Sequence, residues 1–280
     1  MNLKIKQIII ALIAVSGFIF ISCETNETQT VATLTNLVWA DEFDTNGAPN
    51  SENWNLLTGD GTEQGIPGWG NNELQTYTGR TENVIVQDGV LIITAKEESF
   101  EGKPYTSARI TTKGKLDQQY GRFEARIKLP SGKGVFPAFW LLGDDNSGSL
   151  VWPQIGEIDI MEYLGDEPTT VFGTIHGPGY SGANSITKKY DILKDRFDNG
   201  FHVFGVEWSP NSINWYVDGD LYQSITPDDV DEETGGAEWV FNRPFHIILN
   251  VAVGGNLPGS PDENTVFPQR MLVDYVRVYN

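Results

Sequence analysis

Gly121-Arg122-Phe123-Glu124-Ala125-Arg126-Ile127-Lys128-Leu129-Pro130 decides the fold. Phe123, Ala125, Ile127 and Leu129 alternate with Glu124, Arg126 and Lys128, and a strand turns that period of two into one buried face and one wet face. The same signal recurs outward in both directions. Val84–Val86 and Val90–Ala95 flank the turn residues Gln87-Asp88-Gly89. His202–Trp208 and Ile213–Val217 bracket Ser209-Pro210-Asn211-Ser212, and Asp218-Gly219 turns the chain into Leu221-Tyr222. Phe245–Val253 and Met271–Tyr279 close it. No segment sustains a helical period, so many short strands with regular turns predict an all-β sandwich or jelly roll.

One strand carries chemistry. Gly156-Glu157-Ile158-Asp159-Ile160-Met161-Glu162-Tyr163 sets three carboxylates among interior side chains. Like charges in a poorly solvated place resist ionising together, and two carboxyls of separated proton affinity are the machinery of glycoside hydrolysis. Plain alternation puts Glu157 and Asp159 on one face and sends Glu162, five positions after Glu157, to the other. One extra residue absorbed as a β-bulge near Ile160 or Met161 returns Glu162 to the acid face. The Glu157 and Glu162 Cα atoms then lie roughly 13 Å apart, and leaning side chains narrow the carboxyls to about 5–5.5 Å, the retaining geometry. An ordinary edge strand with exposed acids is the plain alternative.

Residues 1–22 read as a leader: Lys4 and Lys6 precede an apolar run from Ile8 to Ile21, too short to span a bilayer. Phe20-Ile21-Ser22-Cys23 resembles a loose lipobox, which implies a lipid on Cys23, export, and a membrane attachment through that anchor alone. Residues 23–36 are polar and Thr-rich, a tether, and residues 37–280 form one domain. Cys23 is the only cysteine, so no disulfide forms within the chain. The chain holds 19 basic and 38 acidic residues; without Lys4 and Lys6 that is 17 against 38, a net charge of −21. Such a charge argues against nucleic-acid partners. A monomer is expected. Asp228-Asp229-Val230-Asp231-Glu232-Glu233 reads as a solvated loop, with calcium binding as the sharper reading.

Other chemistries find little support. Gly177-Pro178-Gly179-Tyr180-Ser181-Gly182 fits a dinucleotide pattern but no βαβ unit follows it. The three histidines show no HExxH spacing, which excludes a zinc site of that type. His202 and His246 fall within strand patterns and read as structural, whereas His176, between a strand and a glycine-rich loop, reads as a cleft residue. Trp69, Trp140 and Trp152 have Gly/Pro/Asn-rich surroundings that suggest loops, where rings can offer apolar platforms to sugars.

Glu157 to Glu162 is the E-x-D-x-x-E signature of glycoside hydrolase family 16 in its bulged form, and the resemblance extends over Leu37–Asn280. Val38–Phe43, Gly134–Gly143, Trp215–Gly219, Asn250–Asn256 and Val273–Tyr279 all look familial, and Gly173–Tyr180 resembles the laminarinase (endo-β-1,3-glucanase) branch. The resemblance implies a concanavalin A-like jelly roll of two antiparallel sheets with an open concave cleft, and a retaining mechanism on β-1,3-glucan, with mixed-linkage β-1,3/1,4-glucan as a further substrate. It implies Glu157 as nucleophile, Glu162 as acid/base and Asp159 between them. Asn72, Arg109, Trp140, Trp152 and His176 are then near the sugar subsites. No cofactor is needed for catalysis, but a structural calcium is implied at Glu42, Gly89 and Asp274, bound through backbone oxygens and one carboxylate. Agar, carrageenan or xyloglucan hydrolysis, or silent glycan binding, are the alternatives on the same fold.

Overall fold

A computed structural model describes residues 34–145 and 148–280; the leader, Cys23 and most of the tether lie outside the described residues. The chain opens with β1 (Leu37–Asp41), β2 (Asn55–Leu57), β3 (Gln75–Tyr77), β4 (Val84–Gln87), β5 (Val90–Phe100) and β6 (Lys103–Ser107). It continues through β7 (Arg109–Thr111), β8 (Gly121–Lys128), β9 (Val135–Gly143), β10 (Glu157–Glu162), β11 (Thr170–His176) and β12 (Ile186–Asp191). Then come β13 (His202–Ser209), β14 (Ser212–Val217), β15 (Asp220–Ile225), α1 (Pro227–Thr234), β16 (Phe245–Val253) and β17 (Gln269–Tyr279).

Two sheets face each other. One runs β15-β14-β13-β8-β17-β5-β6-β3, with β1 beside β17 and β4 beside β5; the other runs β12-β11-β10-β9-β16-β7-β2. Side chains at strand period two fill the space between them: Leu91, Ile93, Phe123, Ala125 and Ile127 from the first sheet, and Phe139, Leu141, Ile158, Ile247 and Leu249 from the second. Each of the large side chains among them contributes about 1.5–3 kcal/mol by leaving water, and Phe123→Ala, which removes a ring fully shielded from solvent, costs about 3–5 kcal/mol.

The predicted hairpin at Asp88-Gly89 is present, with both residues at positive φ (54° and 79°), as a tight turn of that hand requires. Four expectations are corrected. The sheets are not wholly antiparallel, because β3 pairs with β6 in parallel. The outer face of β8 is not wet throughout: Arg122 and Glu124 are 8% and 7% exposed. Arg122 reaches Glu124 at 2.7 Å and Glu207 at 3.3 Å, so the charges are paired and Tyr216 and Tyr279 cover them. The acidic run from Asp228 is not a loop but α1. Thr226 and Asp229 form a capping box, Pro227 starts the helix, acids occupy its first turn and Gly235 ends it in the left-handed region. Trp140 lies within β9, not in a loop.

Candidate active site

The extra residue in β10 is Ile160. Asp159 pairs with Trp140 and Met161 with Phe139, so two steps on β10 match one on β9; against β11, Asp159 pairs with Thr174 and Glu162 with Phe172. Ile158, Ile160 and Met161 all reach the core, while Glu157, Asp159 and Glu162 share the opposite face. Register then builds that face in rows. His176, Glu157, Leu142 and His246 form the first row, and Thr187, Thr174, Asp159, Trp140, Ile248 and Thr111 the second. The third holds Lys189, Phe172, Glu162, Ala138, Asn250 and Arg109.

The two glutamates occupy different surroundings. Glu157 accepts from Trp152 Nε1 at 3.0 Å and lies 3.5 Å from His176 Nε2. Burial raises its pKa and the Glu162 charge adds to that, while His176, Arg109 and Trp152 pull it back. Glu162 has less help. Beside it lie Ala138 and Phe172, and a small apolar cluster of Phe136, Leu164, Phe172 and Ala252 adjoins them. Burial, with the charge of Asp159, pushes Glu162 up to about 8, opposed by a 2.9 Å bond from Thr174 Oγ1 and by His176. Asp159, 3% exposed, is raised to about 6 by burial and by Glu157. Both glutamates are raised by burial, but Glu157 has His176, Arg109 and Trp152 to support its anion, whereas Glu162 has Thr174 and His176 against the charge of Asp159.

His176 serves the anionic side. Its Nδ1 lies 3.1 Å from the Gly182 nitrogen, and its Nε2 faces Asp159 Oδ2 at 3.2 Å and Glu157 at 3.5 Å. The Asp159 contact is ionic rather than an aligned hydrogen bond, because Oδ2 has no hydrogen-bond partner. Burial alone would lower His176, but Asp159 and the charges of Glu157 and Glu162 outweigh it and carry it to about 9. Glu157, Asp159 and His176 could offer three ligand atoms within 4.8 Å of one another. An imidazole held charged between these acids has no Nε2 lone pair to give a metal, so the cluster reads as an ion pair.

The remaining expected residues spread along the same face. Arg109, on β7, lies with Cζ 4.5 Å from the Trp69 ring and 4.8 Å from the Trp140 ring. Trp140 is oriented by donating from Nε1 to Asn250 Oδ1 at 2.8 Å. Trp152, 48% exposed, leans over the His176 ring at 5.9 Å. Trp69 is a buried partner of Arg109 and Tyr77 rather than an open platform. Asn72 is exposed in the turn before β3 and donates from Nδ2 to Asn256 Oδ1 at 2.8 Å. Sequence reasoning passed over Glu73, a buried acid that accepts from Gln75 and Tyr77 and whose charge faces Arg109. It also missed Asn250 and Thr174. Asn250 was findable as the one amide in the apolar run of β16; Thr174 gave no local signal.

A groove of about 760 Å³ lies elsewhere, on the outer face of the other sheet, lined by Ile85, Ile92, Lys128, Arg270 and Leu272 among others. No ring and no facing pair of glutamates lines it, so the chemistry belongs to β10.

Glu42, Gly89 and Asp274 meet around β17. On one edge β17 pairs with β5 up to Val273 and with β1 from Val276 onward. The end of β1 and the β4–β5 turn therefore flank Asp274 and Tyr275 where the strand changes partner. That placement suits oxygen ligation from the backbone. Both Glu42 carboxylate oxygens are taken by Arg277, whereas Asp274 holds only a half-exposed pair with Arg126 at 2.7 Å, worth about 0–1 kcal/mol. The residues fit a cation bound through backbone oxygens and Asp274.

A family model described as Glycosyl hydrolases family 16 matches residues 71–277. A Beta-glucanase of Rhodothermus marinus is 45% identical, over 87% of this chain and 84% of its own. Glucan endo-1,3-beta-glucosidase A1 of Niallia circulans is 42% identical over 87% of this chain, which spans 38% of that relative's length. Among solved structures, the laminarinase catalytic domain from Thermotoga maritima superposes with a TM-score of 0.82 at 51% identity, covering 88% of this chain and 98% of that one. The endo-beta-1,3-glucanase from Pyrococcus furiosus gives 0.83 at 47%, covering 89% and 98%.

Proposed function

Because the chain belongs to glycosyl hydrolases family 16, we propose that it is a retaining endo-β-1,3-glucanase acting on laminarin-type glucans. The observation that carries this is the bulge at Ile160, which puts Glu157 and Glu162 on one face in unequal surroundings. The similarity to proteins named as endo-1,3-β-glucanases and laminarinases supports the substrate. In the first step a Glu157 oxygen bonds the anomeric carbon, the glycosidic C–O bond breaks, and the departing oxygen takes the Glu162 proton. In the second, Glu162 takes a proton from water, whose oxygen bonds the anomeric carbon as the ester to Glu157 breaks. Both carboxyls return to their starting states. Asp159 and His176 hold the charge around Glu157 while this happens, and Arg109, Trp140, Trp152 and Asn72 line the path of the chain of sugars.

Reducing-end release from laminarin, mixed-linkage glucan, agar, carrageenan and xyloglucan, by the wild type, Glu157→Gln and Glu162→Gln, tests the reading. Turnover should be confined to β-1,3-containing glucans and lost in both variants while binding survives; wild-type turnover by either variant sinks it. Proton NMR of the first-formed anomer tests retention. Attachment to a membrane through a lipid on Cys23 is part of the same proposal and rests on the sequence motif; palmitate labelling that persists in Cys23→Ala would refute it. A structural calcium at Asp274 is the last part.

A further inference from the structure

A line of hydroxyls leads from the edge of the seven-stranded sheet to Glu162. Thr174 Oγ1 donates to Glu162 Oε2 at 2.9 Å, Thr187 Oγ1 donates to Thr174 Oγ1 at 3.1 Å, and Ser185 Oγ lies 3.1 Å from Thr187 Oγ1. The alignment follows from register, because Asp159, Thr174 and Thr187 are cross-strand neighbours on β10, β11 and β12 and so point to one face. Thr174 is 2% exposed, whereas Thr187 stands at the surface. A hydroxyl has one proton to give. Thr174 gives its proton to Glu162 and accepts from Thr187; Thr187, its proton spent there, accepts from Ser185. All the donors point the same way, and bonds joined head to tail polarise one another. Among the described residues, Thr174 is the hydrogen-bond partner of the Glu162 carboxyl.

We propose that Ser185, Thr187 and Thr174 are positioning residues that act as one polarised donor chain, setting the proton affinity of Glu162 from the β12 edge. The proposal rests on the reading of Glu162 as the acid/base. A carboxylate accepts more strongly than a carboxylic acid, so the chain favours the anion and offsets the burial that raises this group. That keeps the group able to give its proton in the first step and to stand as the anion that takes one from water in the second, near neutral pH. The other groups facing Glu162 are Asp159 and Glu157 on β10, His176 on β11, Lys189 on β12 above the Phe172 ring, and Tyr222 on β15 behind β11. None of them is altered in the variants below, so a shift reads the chain.

The test is the pH dependence of kcat/KM on laminarin for wild type, Thr174→Val, Thr187→Val and Thr187→Ser, with melting curves to establish folding. The basic limb reports Glu162 losing its proton, and it moves to higher pH when donors are removed. The expected shift is about one pH unit for Thr174→Val. For Thr187→Val it is about 0.3 unit, in proportion to the 10–30% by which linked bonds strengthen one another. Thr187→Ser should restore the wild-type limb, with KM unchanged throughout. A wild-type limb in Thr187→Val, or an equal loss of rate at every pH with the limb fixed, overturns the chain. Full turnover in Glu162→Gln would instead overturn the acid/base reading beneath it, whatever the limbs do.

Discussion

Trp215 Nε1–H donates to the main-chain oxygen of Asp159 at 2.8 Å, across the core from one sheet to the other. The bulge at Ile160 interrupts the ladder just after Asp159, and a buried carbonyl left without a donor costs about 1–3 kcal/mol. Trp215 supplies that donor. Gly173 makes the approach possible: a Cβ there would lie 2.6 Å from Trp215 Cδ1 and closer still to the Tyr222 hydroxyl. Trp215→Phe should therefore lower stability by about 2–4 kcal/mol, from the lost bond and the cavity together, and lower kcat by loosening Asp159. Thermal melts and laminarin kinetics check it; a variant of wild-type stability would show that the bulge does not depend on this bond. Gly173→Ala should have the same two effects.

Glu162 also makes stability depend on pH. Its proton affinity in the folded state is raised from 4.5 to about 8, chiefly by burial. Between those values the folded state binds a proton that the unfolded state has released, so stability falls as pH rises through this window. Glutamine carries no such burden. The melting temperature of Glu162→Gln should match the wild type near pH 4 and exceed it by a few degrees at pH 8, on the order of 1–2 kcal/mol for a carboxyl that water can still partly reach. A difference that does not change with pH would contradict the raised proton affinity.

What was legible in the sequence was what a strand's parity controls. The alternation of β8 announced a sandwich because its inner face is pure core, and the five-residue gap from Glu157 to Glu162 required a bulge because parity otherwise fails. What escaped was set by partners distant in the chain. Arg122 is buried with its charge shared between Glu124 and Glu207, the latter 85 residues further on and facing it from β13. Trp215 meets Asp159 over a separation of 56 residues, and nothing local to either announces it. The helix α1 was different. Its capping box, Thr226 with Asp229, and its terminal Gly235 are local signals, but they flank an acid run whose composition is that of a solvated loop.

A cation at the partner change in β17 should appear as stability rather than rate. A ligand bound only by the folded state adds about 2.7 kcal/mol at a hundredfold excess over its dissociation constant. Calcium should raise the melting temperature by several degrees and a chelator should reverse this, with laminarin turnover at 25 °C unaffected by either. Asp274→Asn should lose most of the response. A melting temperature indifferent to calcium in the wild type would remove the site.

The indole of Trp152 has two separable roles, a ring surface and a proton. Its Nε1–H donates to Glu157 Oε2 at 3.0 Å, and a donor to a carboxylate favours the ionised form that a nucleophile requires. Phenylalanine keeps an aromatic surface and removes the proton, so Glu157 should bind its own proton more tightly. The acidic limb of kcat/KM should then move to higher pH by about 0.5–1 unit in Trp152→Phe, with KM little changed. Alanine removes both, and Trp152→Ala should combine the same limb shift with a KM raised about tenfold, as expected for losing a sugar platform of 1–2 kcal/mol. Equal KM values in the two variants would mean that the ring carries no sugar, and an unmoved limb in Trp152→Phe would mean that Glu157 takes its ionisation from His176 and Arg109 alone.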